Sequence, residues 1–323
     1  MKKPLQPLDY LFVLRPVQFY AVWAVFLAGF FVQNRFGVAA THLDVSNTTS
    51  ASSDGNLLWI GLSLTLLLGA VFVVNQIMSR DAASKDKANL IAQGNITPRV
   101  ALIEAGILFV AALGAGFFLS PKIGLLMIAT AIIGGFLYNF KPFNWKDQPL
   151  LSLAANVVGA LLIFIAGWVI RGSISTDAVV HSLPYLSMAA SIYLLTTVSD
   201  SKSKQADAPS SFAEKYGIPT TVYSGLALQV AATILGFVFA DELIFYAAFF
   251  AVPFSAWAAV KLKTEDVRRA VGYSILLVTI AVLIKYQLFA SSYSLFFIML
   301  GFYFFSRFYY RFRFGLDYPR IGA

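Results

Sequence analysis

Ten apolar runs, most of them near the roughly 20 residues that a helix needs to cross about 30 Å of hydrocarbon, dominate this 323-residue chain and leave little room for another fold. They span residues 17–36, 56–78, 100–119, 123–140, 150–170, 183–199, 218–239, 243–261, 270–289 and 292–310, the last two parted only by Ala290-Ser291-Ser292. The expected fold is therefore all-α: a polytopic transmembrane bundle of nine to ten helices, forming one transmembrane domain over 1–323. Composition agrees, since 59% of residues are hydrophobic, 12% are charged and the mean hydropathy is +0.73, more apolar surface than a water-soluble core uses.

The net charge of +8 need not mean nucleic acid, because the basic residues stand one or a few at a time at the ends of apolar runs. With the N-terminus in the cytoplasm, 20 of the 24 Lys and Arg fall on the inner side. Only Arg35, Lys122, Arg171 and Lys285 fall at or near the outer side. That bias orients the bundle with both termini inside and an even number of spans, in a membrane such as a bacterial cytoplasmic one. Lys2 and Lys3 precede the first run and Gly37-Val38-Ala39-Ala40 resembles a cleavage site, yet the run exceeds an ordinary signal core and more spans follow, so it reads as a retained helix. Residues 34–56 then form an external loop. The absence of Cys excludes disulfides, thiolate metal sites and a cysteine nucleophile. His42 and His181 fall in polar connecting segments, which argues against haem or histidine-ligated metal.

Two polar loops interrupt the apolar pattern, one after Met78 and one after Ser199, a faint repetition that suggests internal duplication. The first carries Asn75, Ser79, Arg80, Asp81, Ala83, Lys85, Asp86 and Lys87 and closes on Gly94-Asn95-Ile96-Thr97. The second reads Thr196-Thr197-Val198-Ser199-Asp200, then Lys202, Lys204 and Asp207, and continues to Phe212-Ala213-Glu214-Lys215-Tyr216-Gly217. Together with Leu14-Arg15-Pro16, Leu137-Tyr138-Asn139-Phe140-Lys141-Pro142, Gln148-Pro149-Leu150 and Asn156, this ordered set resembles the UbiA superfamily of intramembrane prenyltransferases over most of the chain. The tenth helix departs from the nine usual in that family.

The resemblance implies that each loop covers the mouth of the bundle and holds Mg²⁺ against the diphosphate of a prenyl donor, whose tail lies in an apolar tunnel expected between the second and sixth spans. Carboxylate-held cations stabilise the charge left when an allylic diphosphate ionises. It places substrate-binding residues at Asn75, Arg80, Asp81, Asp86, Tyr138, Lys141, Asn156, Asp200 and Lys204, with Asp200, Asp81 and Asp86 as metal candidates. The motifs are degenerate, however. Counted from Asn75, the family's aspartates fall at Ser79 and Ala83, while Asp81 and Asp86 are out of register. Counted from Asp200, the next falls at Lys204, where the charge is reversed. Either Lys204 and Arg80 take over part of the metal's role toward an anionic head group, or the loops are solvated connectors on a fold that has lost the reaction.

The preferred reading is a non-catalytic protein holding a lipid, quinone or isoprenoid pigment, or a subunit of a larger membrane complex. The alternative is an active enzyme moving a polyprenyl group from its diphosphate to an aromatic or other polar acceptor, with Mg²⁺. A transporter is a weaker option, since no paired broken helices mark one. Elsewhere, Glu104 is expected to pair with Arg99, and Asn75 and Asn156 to be helix-buried amides. Lys285 is expected to snorkel to head groups, and Gly114-Ala115-Gly116 and Gly134-Gly135 to mark close helix packing. The segment from Arg307 to Arg313 reads as an interfacial anchor or a docking tail.

Overall fold

The computed structural model describes residues 7–41, 51–80, 89–201, 211–290 and 293–315, and every regular element among them is helical. A short α1 (Pro7–Val13) leads into α2 (Phe19–Thr41) and α3 (Ala51–Met78). Then come α4 (Pro98–Leu119), α5 (Pro121–Thr130), α6 (Pro149–Trp168) and α7 (Thr176–Ser201). A single-turn α8 (Phe212–Tyr216) precedes α9 (Ile218–Val238), α10 (Glu242–Lys261), α11 (Thr264–Ala290) and α12 (Ser294–Tyr309). All ten apolar runs are helices. Eight of these, α2, α3, α4, α6, α7, α9, α10 and α11, are long and apolar enough to span a membrane. The other two are shorter, and each continues into a π-helical stretch, Ala131–Leu137 after α5 and Tyr310–Phe314 after α12.

Helix starts follow local chemistry. Pro98, Pro121, Pro149 and Pro219 stand in the first turns of their helices, where a missing N–H costs nothing. A reciprocal capping box builds α8: the Glu214 amide donates to Ser211 Oγ at 3.2 Å and the Ser211 amide to Glu214 Oε2 at 3.0 Å. Helix α7 begins at Thr176, earlier than its apolar run, so His181 lies within it and stacks on Trp168 rather than in a connector.

The helices form two groups. One comprises α2, α3, α4, α5 and α6, and the other α7, α9, α10 and α11; they meet where α2 and α6 pack against α7 and α11. Helices α2 and α6 cross backbone to backbone. A Cβ on Gly29 would strike the Phe164 carbonyl, and one on Gly167 the Phe26 carbonyl. Lipid-facing positions are large and apolar, as at Phe118 (91% exposed) and Val260 (76% exposed). Helix α12 lies on α2, where the Tyr20 hydroxyl donates to the Met299 carbonyl at 2.9 Å, and its far end returns to α1. There Arg313 grips Asp9 with two hydrogen bonds, Nε to Oδ1 at 3.0 Å and Nη2 to Oδ2 at 2.8 Å. The Asp9 carboxylate raises the pKa of that guanidinium above its ordinary value.

Candidate functional site

The end of the bundle where α3, α5 and α7 stop and α4, α6 and α9 start is the loop face. The first polar loop re-enters the protein there: Leu90, Ile91 and Ile96 are fully or almost fully buried. The return depends on Gly94, whose φ of 67° suits glycine, and on the Asn95 amide donating to the Leu90 carbonyl at 2.9 Å. This gives the Gly-Asn-Ile-Thr segment its local reason, with Thr97 capping α4 by accepting from the Val100 amide. Beside it, buried Gln76 donates to the carbonyl of Val13 at 2.6 Å and fixes the end of α3 to α1.

The structure places the candidate residues as follows. Asn75 is half-buried on the last turns of α3, and its amide hydrogen-bonds to none of the described residues. Arg80 follows on the exposed end of that helix, and Lys141 is exposed on the connector after α5. Tyr138 and Asn156 converge on buried Ser152 of α6, whose hydroxyl donates to Tyr138 Oη at 3.2 Å and whose carbonyl accepts from Asn156 Nδ2 at 2.8 Å. Asn156 is exposed rather than helix-buried, because α6 turns Ser152 and Ala155 to the protein and the next position away from it. Asp200 lies at the end of α7. Asp81, Asp86 and Lys204 lie outside the described residues.

Three further residues belong to this face. The Tyr193 hydroxyl donates to Ser152 Oγ at 2.5 Å, completing a hydroxyl chain from α7 through α6 to Tyr138. Lys146 Nζ lies 3.3 Å from the Met78 carbonyl, setting a cation on the negative end of α3. Ser79 Oγ donates to the Asn75 carbonyl at 2.6 Å, so this hydroxyl closes the helix. Ser79 was already marked in the sequence as a position where the resemblance places an aspartate; for Tyr193 the sequence held only its place seven residues before Asp200 on one helix, and Lys146 read only as a topology charge.

Among the described residues no group of three or more His, Cys, Asp and Glu is placed to hold a metal. The described carboxylate side chains here are engaged elsewhere, Asp147 by the Asn144 amide and Glu214 by the Ser211 amide, and the remaining described oxygen donors are hydroxyls and amides, whereas Mg²⁺ favours carboxylates, so the described donors do not by themselves fit the ion. Among the described residues buried Gln76 Oε1, Asn89 Nδ2 and Asn139 Oδ1 have no hydrogen-bond partner, which marks the loop face as a place where water or a polar ligand completes the bonding.

Below it, α3, α4 and α5 line an open-sided apolar cavity of about 470 Å³, its walls including Val71, Val74, Ala105, Phe109, Phe136 and Phe140. Val74 and Phe140 are close in sequence to Asn75 and Tyr138, so the cavity adjoins the polar end. Its walls are the second, third and fourth spans rather than the second and sixth, because α3 packs along α4 whereas α7 belongs to the other helix group. Glu104 is not paired with Arg99: five residues apart, the two side chains leave α4 about 140° apart, with Arg99 exposed and Glu104 Oε2 buried without a hydrogen-bond partner among the described residues.

Comparison with solved structures gives the same architecture. A UbiA homolog from Archaeoglobus fulgidus, described as bound to GPP and Mg²⁺, aligns with a TM-score of 0.62 at 19% identity, covering 85% of this chain and 99% of that one. A UbiA homolog from Aeropyrum pernix K1 aligns with a TM-score of 0.59 at 13% identity, covering 86% and 96%. A structure described for digeranylgeranylglyceryl phosphate synthase aligns with a TM-score of 0.57 at 15% identity, covering 84% and 95%. At these identities the likeness establishes the fold. No curated protein sequence is significantly similar to this chain. The family model described as the UbiA prenyltransferase family matches residues 36–271, well over half of the chain, and this integral membrane protein therefore belongs to that family.

Proposed function

We propose that this protein binds an isoprenoid lipid, its anionic head group against cations at the loop face and its tail in the apolar cavity between α3, α4 and α5, without Mg²⁺-dependent transfer. The observation that carries this reading is the end of α3. Where the resemblance places a carboxylate, Ser79 closes the helix with its hydroxyl, and the Lys146 ammonium stands 3.3 Å from the Met78 carbonyl. A diphosphate entering there meets Lys146, with Arg80, Lys141 and Lys204 supplying further charge, and charge-assisted contacts of this kind bind phosphate without a metal. The archaeal relative described with GPP and Mg²⁺ supports a prenyl diphosphate as the ligand class.

A working transferase is the second reading, favoured by family membership and by the hydroxyl chain of Tyr193, Ser152 and Tyr138 beside the cavity. It requires Asp200 to assemble Mg²⁺ with the out-of-register Asp81 and Asp86. Titration of the purified protein with GPP, with and without a chelator, separates the two. Metal-free binding predicts a Kd unchanged by chelation and weakened roughly tenfold or more by Lys146→Ala or Lys204→Ala, the loss that goes with one charged contact. Binding abolished by chelation, with Mg²⁺-dependent release of diphosphate, assigns the protein to the enzymes instead.

A further inference from the structure

A second cavity, of about 440 Å³, opens at the loop-face end of the α10–α11 hairpin, and nothing in the reading above uses it. Its lining combines three aromatic rings, Phe254, Trp257 and Tyr273, with Asp266 and Arg269. Phe254 stacks on Tyr273 with ring centroids 4.3 Å apart, making one wall, and Lys261 Nζ sits 4.8 Å above the Trp257 ring at the rim. The aromatics lie one to three turns from the Lys261–Thr264 connector, the depth at which Trp and Tyr occupy a membrane interface.

The charges are unequal. Arg269 Nη1 approaches Asp266 Oδ1 at 3.6 Å, too long for a hydrogen bond. The Arg269 side chain is 49% exposed and hydrogen-bonds to none of the described residues, so its planar fork of donors faces outward. With Lys261 at the rim, two cations stand against one carboxylate. A phosphate suits that fork, and an acyl chain suits the aromatic wall that continues past exposed Trp257 toward lipid.

We infer that this cavity is a binding site for an anionic phospholipid of the leaflet bounding the loop face, its phosphate on Arg269 and Lys261 and its glycerol and upper acyl carbons on Phe254, Trp257 and Tyr273. The site is separate from the isoprenoid cavity and stands whether or not that reading holds.

The test is native mass spectrometry of the full-length protein in detergent, titrated with phosphatidylglycerol, with phosphatidylcholine and with inorganic phosphate. Wild-type protein retains phosphatidylglycerol in preference to phosphatidylcholine, and inorganic phosphate does not displace it. Arg269→Ala weakens phosphatidylglycerol binding by about fivefold, the effect of one basic group at an anionic surface, and leaves phosphatidylcholine binding unchanged. Arg269→Lys keeps part of the preference, and Trp257→Leu, which leaves both cations in place, lowers retention of the lipid without altering its charge selectivity. Equal binding of the two lipids by wild-type protein, wild-type retention in Arg269→Ala, or displacement by inorganic phosphate overturns the assignment. Thermal midpoints of the variants matching wild type within the error of the scan exclude misfolding as the cause.

Discussion

The clamp between the chain ends offers the sharpest test of the packing. Asp9 is 1% exposed and Arg313 7%, and the carboxylate accepts two hydrogen bonds from the guanidinium and a third from the Tyr309 hydroxyl at 2.8 Å. Phe12 stacks on Tyr309 at 4.2 Å and shields the group from water. Asp9→Ala leaves a buried guanidinium without its counter-charge, which costs about 3–5 kcal/mol. At roughly 2 °C per kcal/mol for a chain of this size, the thermal midpoint falls by about 6–10 °C. Removing both charges, as in Asp9→Leu with Arg313→Met, replaces the pair with apolar volume and is milder than either single change, because no unpaired charge is left behind. Thermal unfolding followed by tryptophan fluorescence, at fixed detergent and protein concentration, reads both variants. An Asp9→Ala midpoint within about 2 °C of wild type is the behaviour of a solvated surface pair, and it refutes the buried clamp.

Other expectations rest on the charge bias of the sequence and on the helix packing. A tag at Ser50 is reached by an impermeant reagent from outside intact cells and one at Gln205 is not; the reverse pattern inverts the cytoplasmic placement of the loop face. Gly29→Ala drives a Cβ into the Phe164 carbonyl and separates α2 from α6, lowering stability by about 3 kcal/mol or preventing folding, whereas Gly114→Ala meets nothing within 4 Å and raises stability by up to ~1 kcal/mol through helix propensity. Equal effects at the two glycines, measured as detergent-solubilised yield and midpoint, contradict the crossing. Restoring carboxylates together at Ser79→Asp, Ala83→Asp and Lys204→Asp is expected to raise Mg²⁺-dependent binding of GPP; no gain in a calorimetric titration argues that degenerate motifs are not what separates this site from a metal site.

The ten apolar helices, eight of them long enough to span a membrane, and the family were legible in the residue string, for one physical reason. Hydrocarbon offers no partner to a backbone N–H or C=O, so an apolar run of this length has a single solution, and local rules such as proline in the first turn and glycine at the positive φ of residue 94 mark its ends. What such a run does not state is which side meets protein and which meets lipid, because it is apolar on every side. That is why Asn156 is exposed although it reads as a packed amide, and why Gly114 faces open space while Gly116 lies against Met127. The same ambiguity hid the apolar cavity, which falls between neighbouring spans α3, α4 and α5 rather than under both loops. The site's pairings were out of reach for a further reason: Lys146 meets the end of α3 across 68 residues, Tyr193 meets Ser152 across 41, and Arg313 meets Asp9 across 304. Sequence determined that this chain folds as a bundle of apolar helices and to which family it belongs. Tertiary packing alone decided which polar groups meet at the loop face, because a hydrogen bond between distant segments is set by how helices cross, and no local preference encodes that.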